Sequence, residues 1–81
     1  MYAYILVGFK PGKEREAFDE LSHLEKIVDI NLIFGEWDII MKVEIESPGD
    51  LEQFIIEQVR VLDGVNLTST MIVARWKKKL E

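Results

Sequence analysis

Residues Ile39 to Glu46 alternate without a break. Ile39, Met41, Val43 and Ile45 fall on one side of an extended backbone, and Ile40, Lys42, Glu44 and Glu46 on the other. A period of two marks a strand with one face buried. The run before it, Asn31 to Phe34, is mostly apolar, and Gly35, Glu36, Trp37 and Asp38 join the two. Asn31 to Glu46 therefore reads as one hairpin around a tight turn, with Gly35 able to take a positive φ. Two carboxylates and an indole meet at that turn. A connector needs less chemistry, so the functional question starts there.

The rest of the chain builds around this hairpin. Tyr2 to Phe9 is apolar on both faces of a first strand, so both faces call for cover. Pro11 and Gly12 end it in a turn. Ala17, Phe18, Leu21 and Leu24 then form one apolar stripe on a helix from about Lys13 to His23, with Glu14, Arg15, Glu16, Asp19 and Glu20 on its wet side. His23 at its end suits the negative pole of the helix dipole. A second strand spans Lys26 to Phe34. After the hairpin, Ser47 is an N-cap with Pro48 at the first helical position; Asp50 with Gln53 is the alternative cap. The second helix runs to about Leu62, with Leu51, Phe54, Ile55, Gln58 and Leu62 on its inner face and Val59 at the margin. Gly64 is placed as a left-handed cap. Val65 to Trp76 is the last strand, interrupted by the hydroxyls of Thr68, Ser69 and Thr70.

The order β-α-β-β-α-β, with right-handed crossovers, puts both helices on one face of a four-stranded antiparallel sheet. This is an α+β, ferredoxin-like sandwich, expected as a single domain over residues 1–81. The sheet's other face keeps apolar residues that the helices cannot reach, and Tyr2, Tyr4 and Phe9 read as core or interface. With 48% hydrophobic residues in 81, stacking against a second copy is the economical cover.

Composition removes several function classes. There is no cysteine and one histidine, which leaves no metal motif, and nothing calls for a cofactor. A catalytic inventory is correspondingly thin: carboxylates at Glu36 and Asp38 without a recognisable partner. The net charge of −5 is a poor footprint for nucleic acid. Arg75, Lys77, Lys78 and Lys79 read as a solvated end. No apolar run reaches about 18 residues, and the N-terminus lacks a signal-peptide pattern. A cytoplasmic location is expected, since small secreted domains more often carry disulfides.

A free amino acid is a zwitterion, so its pocket needs acceptors for an ammonium, donors for a carboxylate and a shaped apolar slot. Asp38 and Glu36 supply the first; Thr68, Ser69, Thr70 and backbone N–H groups near Gly35 supply the second. The plainer alternatives stand beside this: Asp38 bonding its own turn, a hydroxyl ladder on an edge strand, and Trp37 as a dimer anchor.

Taken together, Ala3 to Val7, the Lys10, Pro11, Gly12 turn, Phe34 to Val43, Leu62 to Val65 and Thr68 to Val73 resemble the effector-binding domain of the leucine-responsive/asparagine-regulator (Lrp/AsnC) transcription regulators. That domain is known as RAM, for regulation of amino-acid metabolism. The resemblance implies a dimeric α/β barrel, dimers joined into a larger ring, often an octamer, and amino acids held between dimers. It assigns Gly35, Glu36, Trp37, Asp38, Thr68, Ser69 and Thr70 to the ligand-contacting region. The helix-turn-helix domain usual in the family is absent from these residues. The expectation is a module that modulates transcription without touching DNA, possible partners including a full-length Lrp/AsnC regulator. The alternative is a small cofactor-independent enzyme of the dimeric α/β-barrel class.

Overall fold

A computed structural model describes residues 1–80. Its elements are β1 (Tyr2–Phe9), α1 (Glu14–Ser22), β2 (Ile27–Leu32), β3 (Ile39–Glu44), α2 (Pro48–Phe54) continued by a π-helical turn (Ile55–Val59), and β4 (Val65–Ile72). The sheet order is β2-β3-β1-β4, and every neighbouring pair is antiparallel. This is the α+β, ferredoxin-like arrangement.

Both helices pack on one sheet face. Ala3, Ile5, Val7 and Phe9 of β1 and Ile39, Met41 and Val43 of β3 share that face with Ala17 and Leu21 of α1 and Leu51, Phe54 and Val59 of the second helix. All are buried. Each large aliphatic or aromatic side chain removed from water there contributes about 1.5–3 kcal/mol, the dominant favourable term. The Ser47 hydroxyl accepts the Asp50 amide at 3.0 Å, so Ser47 is the cap. Asp50 in turn accepts from Lys26 Nζ and the Glu46 amide, both at 2.9 Å, clipping the start of β2 to the second helix.

Four local expectations are corrected. The connection between β2 and β3 is no tight turn. Strand pairing stops at Leu32 opposite Ile39, and residues 33–38 form a wider loop closed by the Ile33 amide on the Asp38 carbonyl at 2.9 Å. The Asp38 amide instead joins β1 through the Val7 carbonyl at 3.0 Å. Gly35 has φ of +151°, which other residues rarely adopt.

β4 ends at Ile72 rather than Trp76, because Val73 already reaches the first residue of β1 through the Tyr2 carbonyl. Beyond it, among the described residues, no strand is left to pair with.

The second helix is not α-helical to Leu62. The Arg60 amide bonds the Ile55 carbonyl, five residues back, at 2.8 Å. Phe54 and Val59 are both in the core, 1% and 0% exposed. In an unbroken α-helix residues five apart point roughly 140° apart. The π turn absorbs that difference, so Val59 takes the inward place expected for Gln58, which is exposed.

Gly64 is not left-handed; among the described residues only Gly12 and Gly35 have positive φ. Its role is close packing: a Cβ there would stand 2.8 Å from the Ala17 Cβ and 3.0 Å from the Lys13 carbonyl.

Candidate functional site

The expected site residues lie on two sides of β1. Val7 pairs with Ile39 on one side and Thr68 on the other, Leu6 with Ile40 and Ser69, and Ile5 with Met41 and Thr70. The loop bearing Gly35, Glu36, Trp37 and Asp38 continues the β3 side. The hydroxyls sit on β4, two strands away, or roughly 10 Å across the sheet. One chain does not gather all seven into a single concavity.

Each residue's setting differs. Gly35 and Glu36 are exposed at the loop tip beside Phe34, whose side chain is wholly in solvent. Asp38 is half-buried, and its Oδ2 accepts the Phe9 amide at 2.8 Å. That carboxylate thus substitutes for a ladder partner where the β1–β4 register shifts between Gly8 and Phe9. The bond is to β1, not to its own turn. Trp37 reaches the open sheet face: its Cε3 lies 3.9 Å from where a Cβ on Gly8 would stand, and the Leu67 Cβ lies 3.8 Å from the same point. Gly8 is therefore the notch that admits the indole.

The three hydroxyls divide between faces, as the strand period requires. Ser69 shares the open face with Leu6; Thr68 and Thr70 share the helix side with Val7 and Ile5. Among the described residues, no hydrogen bond engages any of these hydroxyls.

Thr70 opens into a groove that the sequence reading did not identify. It has a volume of about 400 Å³ and lies between the second helix and β4. Pro48, Leu51, Ile55, Ile56 and Ile72 make its apolar surface, and Glu52, Arg60 and Thr70 its polar groups. The signal was present in the sequence: Pro48, Glu52, Ile56 and Arg60 recur every fourth residue. Glu52 and Arg60 were simply counted with the solvated charges. The π turn brings Ile55 and Ile56 together to this groove while Phe54 and Val59 stay in the core.

The open sheet face is the second unmatched surface. Tyr4 lies between Lys42 and Met71, and Gly8 beside Leu67. Leu67 is 60% exposed and Met71 46%. The Lys42 ammonium lies 4.6 Å from the Tyr2 ring centre and 6.0 Å from that of Tyr4. His23 Nδ1 is 2.7 Å from the Asp19 carbonyl at the end of α1, a structural contact. Arg75, Lys77, Lys78 and Lys79 are exposed on a segment without regular structure. No helix is long and apolar enough to cross a membrane among the described residues.

Comparison with known proteins agrees with this architecture. The model of the Lrp/AsnC ligand binding domain matches residues 2–80. An HTH-type transcriptional regulator of Pyrococcus abyssi is 33% identical over 76 residues, which are 94% of this chain and 48% of that protein. The chain spans about half the length of the curated relatives it matches. The crystal structure of FFRP-DM1 superimposes with a TM-score of 0.83 at 39% identity, covering 89% of this chain and 96% of the other. A Neisseria meningitidis transcriptional regulator, solved as a complex with L-Met, has the same fold: TM-score 0.87 at 19% identity, covering 96% of this chain and 52% of the other. The curated relatives are transcriptional regulators, which points away from an enzyme.

Proposed function

Because the chain belongs to the Lrp/AsnC ligand binding domain family, we propose that it is an effector module: it binds an amino acid and couples that binding to assembly. The observation that carries the reading is the groove between the second helix and β4. It sets a guanidinium, a carboxylate and a hydroxyl, from Arg60, Glu52 and Thr70, around an aliphatic surface. The guanidinium suits the α-carboxylate, the hydroxyl accepts from the α-ammonium and the aliphatic surface takes the side chain. The L-Met complex of the Neisseria regulator supports the ligand class.

In this reading a second copy covers the open sheet face and dimers associate further into a ring. The exposed loop of Phe34, Gly35 and Glu36 reaches a neighbouring copy there, bringing the two halves of the expected site together across chains. The loop of Gly35 and Glu36 then meets Thr68 and Thr70 only in the assembly, while Ser69 and Trp37 stay on the open face against the second copy. Residues 1–81 act as one unit, in the cytoplasm, by association with their own kind or with a full-length relative. The coupling is linkage. A ligand that fits only the assembled form stabilises it by about 2.7 kcal/mol at a hundredfold excess over Kd.

The test is a thermal-shift screen of the standard amino acids with mass measured in solution for each hit. At least one amino acid should raise Tm and the assembled mass together. A folded particle that stays a single chain at high concentration, whatever amino acid is added, overturns the proposal.

A further inference from the structure

The charge arrangement of the groove narrows the ligand further, on the premise that the groove is the effector site. We infer that the effector carries a second positive charge at the far end of an aliphatic stem, as lysine and ornithine do. Glu52 and Arg60 stand eight residues apart on the second helix, about 12 Å along its axis. Ile55 and Ile56 lie between them. Among the described residues neither charge has an ion-pair partner: the three salt bridges join Lys10 and Lys13 to Asp63, and Lys26 to Asp50.

An α-ammonium and its carboxylate sit on one carbon, too close together to serve both ends of this groove. A long-chain diamino acid fits it. Its carboxylate pairs with the Arg60 guanidinium, whose planar fork suits two oxygens. Its stem lies on Ile55 and Ile56, and its distal ammonium donates to Glu52. β4 runs back along the helix, because β3 ends at Glu44 opposite Tyr2 and β4 ends at Ile72 opposite Ala3. Thr70 therefore lies further towards Arg60 than Ile72 does, and its hydroxyl accepts from the α-ammonium. Glu52 is exposed, so a purely aliphatic amino acid forgoes only the gain of that ion pair, and an acidic one places two carboxylates together.

Calorimetry on the wild-type chain with L-lysine, L-norleucine, L-leucine and L-glutamate tests this; norleucine keeps the straight stem and lacks the terminal charge. Lysine should bind tighter than norleucine by about two- to fivefold, the worth of a solvent-exposed ion pair. Glu52→Gln should abolish that preference, bringing lysine affinity down to that of norleucine in the same variant, since a neutral group makes no charge-assisted bond. Norleucine or leucine binding as tightly as lysine overturns the inference and leaves the effector reading intact. A lysine preference that persists in Glu52→Gln also overturns it. If no amino acid binds the wild-type chain, this inference and the effector reading fail together.

Discussion

The two faces of the sheet are made by the same four strands, yet only one is finished within a single chain. On the helix side, Ala3, Ile5, Val7, Ile39 and Val43 are wholly shielded by α1 and the second helix. On the other side Tyr2, Tyr4, Leu67 and Met71 stay between about one-third and two-thirds exposed. Lys42 laid over the two tyrosine rings shields them in part, at a gain of about 0.5–1 kcal/mol typical of exposed cation–π contacts. The difference separates the surface that folding uses from the surface it leaves over. One face stabilises the monomer; the other leaves apolar side chains in water.

That contrast can be broken most directly at Phe54. Phe54→Ala removes a ring from the finished face and should cost about 3–5 kcal/mol in urea unfolding. A domain of this length has a stability on the order of 4–12 kcal/mol, so the variant should stand near the edge of folding. A loss under about 1 kcal/mol would show that the helix side is not the well-packed one.

Asp38 stands at the boundary between the faces. Asp38→Ala leaves the Phe9 amide without its acceptor and should cost about 1–3 kcal/mol. Asp38→Asn, which retains an oxygen acceptor, should lose less. Hydrogen exchange at the Phe9 amide should quicken in the alanine variant alone; equal exchange in both would mean the carboxylate bond does not hold the end of β1.

Tyr4→Asp addresses the open face. Unfolding of the dilute single chain should change by no more than about 0.5 kcal/mol. The mass at high concentration should fall to one chain, as read by sedimentation. A large loss of monomer stability would mean this face is already in use within the chain.

The smallest expected effect is that of acid, which acts on the rims and spares both faces. The Glu46 amide and the Lys26 ammonium hold the Asp50 carboxyl below its usual range, and the Lys13 ammonium does the same for Asp63. A carboxylate whose folded pKa lies below the unfolded value of about 3.9 stabilises fully above that pH, and the stabilisation fades as pH falls through the folded value. Tm should therefore decline below about pH 4. Asp50→Asn should flatten that decline; an unchanged acid limb would remove the clip from the account.

Much of the fold was legible because its signals are local. Strict alternation from Ile39 to Val43 became β3, and Ser47 with Pro48 became a helix start confirmed by the Asp50 amide. The π turn was not legible. A single extra residue in the hydrogen-bond ring leaves the i, i+3, i+4 pattern nearly intact, so Gln58 rather than Val59 looked inward. Gly64 was recognised as special for the wrong reason, since Ala17 crowds it from another element. Of the candidate site, the residue types were readable but not their grouping. Thr68, Ser69 and Thr70 looked like one donor set, and the strand sends the middle hydroxyl to the opposite face. Glu52 and Arg60 looked like ordinary surface charges until β4 was laid beside them.

The amino-acid sequence by itself determined the number, type and order of the elements, and that apolar surface would remain after the helices had packed. Those properties depend on neighbours a few residues away, through strand alternation, helical stripes and caps. Only the tertiary structure decided that β4 lies along the second helix to form a groove, that Trp37 rests over Gly8, and that Asp38 bonds β1. The groove joins residues 10 to 24 positions apart, and the Trp37 and Asp38 contacts each join residues 29 apart. Their geometry follows from sheet order and register, which no local pattern encodes.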